Sequence, residues 1–177
     1  MERPPLRVPA GFLLLLTLLV GCGEPTVGID RGAEVGVHVE RVGLDAGDRP
    51  VVVLGEDAGE RWLPIWIGSA EAQSIAHVMS HRRQQRPNTH DLTRNVIEGL
   101  EAEVARVVVT ELRRNTYYAE LTLLVRGQTI IIDSRPSDAI AIALRANAPI
   151  FVREVLFEDP ENEISPPEEP SGTRLSI

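Results

Sequence analysis

Three extended segments, Val104 to Leu112, Tyr117 to Val125 and Gln128 to Asp133, follow one another with almost nothing between them. Arg113-Arg114-Asn115-Thr116 and Arg126-Gly127 leave room only for hairpin turns, so the three must lie side by side as strands of one sheet. Pro136 suits the first turn of a following helix, with Ser134 or Ser137 as its cap. That helix is expected to run to about Asn147, with Ala139, Ile140, Ala143 and Leu144 inward, and Pro149 to Val152 is expected as a short last strand.

The N-terminal half has the same rhythm. Ala33 to Glu40 alternates apolar and polar residues, Pro50 to Leu54 and Trp62 to Ile67 read as further strands, and Gly43, Gly47, Gly55 and Gly59 mark turns. Ser69 is placed to cap a helix from Ala70 to about Arg82, with Ala72, Ile75, Ala76 and Met79 on its core face. After a polar connection, His81 to Pro87, a second helix is expected over about Thr89 to Ala102, with Leu92, Val96, Ile97 and Leu100 at core spacing. The pattern implies an α+β fold of two duplicated units, each of about three strands with one or two helices, forming one mixed domain. A short echo supports the duplication. Glu71 to Ala76 and Asp138 to Ala143 both read acid-Ala-x-x-Ile-Ala and open a helix after a strand.

The ends differ in character. Residues 1–22 read as a secretory leader: Arg3 and Arg7 precede an apolar run, Ala10 to Val20, too short for a bilayer span. Leu19-Val20-Gly21-Cys22 resembles a bacterial lipobox, and Cys22 is the only cysteine in the chain. The mature protein is then expected to start at Cys22, acylated and held on the extracytoplasmic side of a bacterial membrane. Residues 23–32 form a tether, 33–157 the domain and 158–177 a disordered acidic, Pro-rich tail.

Composition narrows the chemistry. One cysteine excludes an internal disulfide framework and a Cys-rich zinc module. All 18 basic residues are Arg, so there is no phosphate-loop or Schiff-base lysine. The net charge of −8 argues against coating nucleic acid by bulk electrostatics, but seven acids against Arg174 alone lie from Glu154 onward. From Gly32 to Arg153, 16 acids face 14 Arg.

No catalytic-triad signature, Gly-rich phosphate loop or two-His metal helix is present. What remains is a set of polar residues at element boundaries: Glu71, His90, Asp91, Asp133, Arg135 and Asp138. Asp91, Asp138 and Glu71 fall in first turns, where a carboxylate opposes the helix dipole without any further role. The sharper reading brings them into one cleft. Glu71, Asp133 and Asp138 would then hold Mg²⁺ or Mn²⁺, which favour hard oxygen ligands, while Arg135 forks onto a phosphate. His90 is a candidate acid or base beside Asp91. His38, His77 and His81 face solvent and are assigned nothing.

These segments resemble the bifunctional nuclease (BFN) domain family. The resemblance rests on Leu63-Pro64-Ile65-Trp66-Ile67-Gly68 with Glu71-Ala72, on Arg86-Pro87-Asn88-Thr89-His90-Asp91-Leu92, and on Tyr117-Tyr118-Ala119. It continues with Asp133-Ser134-Arg135-Pro136-Ser137-Asp138-Ala139-Ile140 and Ala148-Pro149-Ile150-Phe151-Val152. It implies a duplicated α+β fold, often oligomeric, and nuclease activity, since plant members are described as cleaving both DNA and RNA. It points again to Glu71, His90, Asp91, Asp133, Arg135 and Asp138. Three features depart from the pattern: family members usually lack a leader, the acidic tail would repel nucleic acid if it lay near the cleft, and Glu101 stands where Gly is expected after the second helix. The expectation is a membrane-anchored extracytoplasmic nuclease with nucleic acid as substrate. The alternative is a non-catalytic binding or assembly lipoprotein, in which the same residues are caps and ion pairs and the tail or Arg82, Arg83 and Arg86 engage a partner.

Overall fold

Both runs of strands form antiparallel meanders. The computed structural model describes residues 32–81 and 85–158; the leader with Cys22, the tether as far as Arg31, Arg82 and Arg83, and the tail beyond Glu158 lie outside them. The first meander is β1 (Glu34–Leu44), β2 (Pro50–Glu56) and β3 (Trp62–Trp66), followed by α1 (Ser69–Met79) and α2 (Thr89–Gly99). The second is β4 (Ala102–Arg113), β5 (Thr116–Val125) and β6 (Gln128–Ser134), followed by α3 (Pro136–Ala146). β7 (Ile150–Arg153) and a 3-10 turn (Glu154–Phe157) complete the order.

All seven strands join one sheet in the order β3-β2-β1-β7-β4-β5-β6. β7 sits at the centre, antiparallel to β1 and parallel to β4, and so joins the two meanders. The fold is α+β with a mixed sheet, and each meander is followed directly by a helix. The two-residue turns follow from local chemistry. Arg114 and Asn115 have φ of 51° and 59°, and Arg126 and Gly127 have 49° and 79°. Two successive left-handed residues make a type I′ turn, whose twist matches that of the strands it joins.

One sheet face carries the core. Val52, Leu54, Leu63 and Ile65 from the first meander, and Val107, Val109, Ala119 and Leu121 from the second, pack with Ile75, Ile140 and Val152. α3 is buried over five consecutive residues, Ala139 to Ala143, because it lies on β4 and β5 with α1 and α2 against it. Its alanines let these neighbours approach, and burying Ile140 alone contributes about 1.5–3 kcal/mol.

Several local expectations change. Neither serine cap forms: α1 begins at Ser69 with Gly68 as N-cap, and α3 has Arg135 as N-cap with Ser137 buried inside its first turn. α2 stops at Gly99, three residues early, and Glu101 takes up the left-handed turn at φ 58°. Of the four apolar residues expected to face the core from α2, only Ile97 is buried; Leu92, Val96 and Leu100 are exposed. Among the described residues no helix is long and apolar enough to cross a membrane.

Candidate active site

The first turns of the three described α-helices meet. Glu71 is the third residue of α1, His90 the second of α2 and Asp138 the third of α3, while Arg135 immediately precedes α3. Arg135 ties the group together. Its Nε donates to Asp138 Oδ2 at 2.6 Å, and its Nη2 donates to Asp138 Oδ1 at 2.9 Å and to Glu71 Oε1 at 2.8 Å. The two acids of the sequence echo thus share one guanidinium. Gly68 makes room for this, since a Cβ there would overlap the Glu71 carboxylate.

His90 is oriented from both sides. The Ser74 Oγ accepts from Asn88 Nδ2 at 3.0 Å and from Arg145 Nη2 at 2.9 Å. A hydroxyl has two lone pairs and one proton, so the Ser74 proton is left for His90 Nδ1, 2.9 Å away. Nδ1 is then the acceptor and Nε2 carries the hydrogen, which it donates to Asp138 Oδ1 at 3.1 Å. Ser74 is only 4% exposed. It fixes the imidazole's tautomer and is out of reach as a nucleophile.

The charges follow. Burial works to raise the Asp138 carboxyl, but hydrogen bonds from Arg135 and His90, with the charge of Arg135, outweigh it and hold the group below the usual carboxylate range. Arg135 is pushed up in turn, first by its bonds to Asp138 and then by those to Glu71. For Asp91, burial is again opposed, by Arg145 and the Asn88 N–H, and its carboxyl too ends below the usual range.

Asp91 serves a different purpose from Asp138. Its Oδ2 accepts the Asn88 N–H at 2.8 Å while Asn88 Oδ1 accepts the Asp91 N–H at 3.0 Å, a reciprocal capping box that starts α2. Its Oδ1 takes Arg145 Nε at 2.6 Å, and that Arg side chain is only 6% exposed. Arg145 also donates from Nη1 to the Ala141 carbonyl at 2.8 Å.

Of the residues singled out from sequence, Glu71, His90, Arg135 and Asp138 come into direct contact, and Asp91 is joined to them through Asn88, Arg145 and Ser74. Asp133 does not join. In the β5–β6 register Ser134 pairs with Ala119, on the core face, and Asp133 pairs with Glu120 one residue along. Alternation along the strand therefore turns Asp133 to the face away from the helices. The expected Glu71–Asp133–Asp138 metal set is thus not assembled, and among the described residues no three His, Cys, Asp or Glu side chains are grouped to hold a metal ion. Between Glu71 and Asp138, the charge that balances the carboxylates is the Arg135 guanidinium.

Sequence reading missed Ser74, Asn88 and Arg145 as members of this network. Asn88 carried a signal, an Asn three residues before an Asp at a helix start. Arg145 carried a fainter one, seven residues after Asp138 and so on the same face of α3.

The family model of the bifunctional nuclease domain matches residues 52–165, a span that contains every one of these side chains. The chain belongs to the bifunctional nuclease domain family. It is 40% identical over 123 residues to an uncharacterized protein of Mycobacterium tuberculosis (strain H37Rv), covering 70% of this chain and 71% of that one. It is 30% identical over 118 residues to Bifunctional nuclease 1 of Oryza sativa subsp. indica, covering 65% of this chain. Bifunctional nuclease 1 of Arabidopsis thaliana is 31% identical over 116 residues, 63% of this chain. The match spans 36% of each of these two plant proteins.

Proposed function

We propose that this BFN domain hydrolyses phosphodiester bonds of DNA or RNA at the Glu71–Arg135–Asp138–His90 cluster. One observation carries the reading: the Arg135 side chain is 66% exposed, yet its guanidinium is held in one orientation by carboxylates from two helices. A fixed cation open to solvent beside helix N-termini is a phosphate site. The first turn of α1 has no side-chain cap, so its backbone N–H groups add to it. A bound phosphate would compete with Glu71 and Asp138 for the guanidinium. Asp138, so released, accepts a proton from the attacking water, whose oxygen bonds to phosphorus. The bond from phosphorus to the departing sugar oxygen breaks, and that oxygen takes a proton from solvent water, while the His90 Nε2–H keeps the Asp138 carboxylate oriented. Among the described residues no ligand set for Mg²⁺ or Mn²⁺ is assembled at this cluster.

The test incubates the full chain with single- and double-stranded DNA and RNA, in Mg²⁺, Mn²⁺ or EDTA. Arg135→Ala and Asp138→Ala are expected to lower cleavage about 100- to 1000-fold with circular dichroism unchanged, whereas Asp133→Ala leaves it intact. Equal cleavage by all four proteins would assign the activity to a contaminant. No cleavage by the wild type would favour the second reading, a non-catalytic binding protein. The observation behind that reading is Asp91, whose carboxylate is spent wholly on the cap of α2 and on Arg145.

Nucleic acid as substrate and the extracytoplasmic, lipid-anchored location are parts of the same proposal. The location is supported by the leader and by Cys22 as the sole cysteine.

A further inference from the structure

One surface tryptophan is held more firmly than its exposure requires. Along β3, Leu63 and Ile65 enter the core, so Trp62, Pro64 and Trp66 lie on the opposite, open face of the sheet. Trp66 is 39% exposed, yet its Nε1–H donates to Asp45 Oδ2 at 2.8 Å. The Arg49 guanidinium lies over the indole, its Cζ 5.2 Å from the ring centre. Asp45 is itself held: Oδ1 accepts the N–H groups of Gly47 and Arg49, each at 2.9 Å, and Oδ2 also accepts Arg49 Nε at 2.8 Å. Indole, guanidinium and carboxylate form one fixed shelf, although the Arg49 side chain is 68% exposed.

We infer that the Trp66–Arg49 shelf binds an unpaired nucleobase of a single-stranded substrate by stacking, an inference that rests on the reading of this chain as a nuclease. Bases stack on aromatic rings and on guanidinium planes alike. Inside a duplex each base already has its faces covered by its neighbours, so the shelf selects single strands. Because indole and guanidinium are ordered beforehand, little side-chain freedom is lost on binding. Position agrees with the chemistry. Trp66 stands two residues before Gly68, a chain distance of at most about 7 Å. Gly68 caps α1 and lies against the Glu71 carboxylate that holds Arg135. β3 is an edge of the sheet, so no strand of the sheet lies beyond it. A single strand with a phosphate at Arg135 can round that edge and lay a neighbouring base on the shelf. The charges at this end of the face permit it. Arg49 matches the Asp45 carboxylate at 2.7 Å. Arg41, opposite Val53 and so on the same face as Pro64, has an Nε without a hydrogen-bond partner among the described residues. Trp62 lies about 13 Å along the strand and is not part of the shelf.

The chain has two tryptophans, so Trp62→Phe leaves Trp66 as the sole indole reporter in the full chain. Single-stranded oligothymidylate is expected to quench its fluorescence on stopped-flow mixing, ahead of any cleavage, whereas an abasic strand of the same length is not. Trp66→Ala is expected to weaken binding of fluorescein-labelled oligothymidylate about 5- to 100-fold by anisotropy, with circular dichroism unchanged. Trp66→Phe is expected to recover most of that loss, and Arg49→Ala to weaken binding several-fold. Affinity for the duplex with oligoadenylate is expected to be the same in Trp66→Ala as in the wild type. Unchanged single-strand affinity in Trp66→Ala, or equal binding of the abasic strand, overturns the shelf. Quenching by anionic phospholipid vesicles and not by the strand overturns it too. If cleavage persists alongside either result, the nuclease reading stands without the shelf. If strands bind through Trp66 and are never cut, the shelf stands and the nuclease reading falls.

Discussion

Arg145 shows how much one side chain can organise. Its guanidinium is buried, yet four of its neighbours, Asp91, Ser74, Asn88 and the Ala141 carbonyl, take its hydrogen bonds. Removing Asp91 leaves that charge unpaired, so Asp91→Ala is expected to cost about 2–4 kcal/mol in urea unfolding, capping box included. The pH dependence has a definite sign. The folded Asp91 carboxyl lies below its unfolded value, so its contribution is full above about pH 4 and is lost as pH falls through the folded value. Asp91→Asn is therefore expected to lower the Tm at pH 7 and to flatten its decline between pH 5 and 3, read by thermal melts. Polar residue types at element boundaries, with the family resemblance, pointed to Glu71, His90, Arg135 and Asp138, although an acid in a first turn can also serve the helix dipole alone. They misplaced Asp133, since one residue of strand parity separates the helix face from the open face and sequence proximity to Arg135 says nothing about it.

At the scale of elements, the strands were legible because period-two alternation and two-residue turns are local properties. The helix ends were not. Ser69 and Ser137 are good capping residues, but the chain enters α1 and α3 one residue or more before them, at Gly68 and Arg135, and both serines become part of the first turn. α2 was misjudged for another reason: its spacing marks an apolar stripe without saying what covers it, and only Ile97 meets the core. The exit from α2 offers a sharp test. Glu101 holds φ at 58°, is mostly exposed, and has only a loose 3.9 Å ion pair with Arg126. Such a pair contributes little, while a non-glycine residue pays steric strain in that region. Glu101→Gly is expected to raise stability by about 0.5–1 kcal/mol, measured as a shift in denaturation midpoint at constant slope.

At the scale of the whole molecule, the order of elements could be read but the sheet order could not, because β7 inserts between meanders whose nearest strands, β1 and β4, are far apart in sequence. The proposed anchor belongs to this scale too. The wild type is expected to incorporate radiolabelled palmitate in a bacterial host and Cys22→Ser not to, with the circular dichroism of the domain unaltered; equal labelling of both would show that Cys22 is not the acylated residue. The position of β7 also has a consequence for synthesis. As the ribosome extends the chain, both meanders emerge before the strand that joins them. Until Ile150 to Arg153 are made, β1 and β4 each show a bare flank to the nascent chain's surroundings. A message cut short before that point would yield two half-sheets with no seam, a product suited to clumping and to proteases, so only translation past Arg153 yields a sheet that is whole.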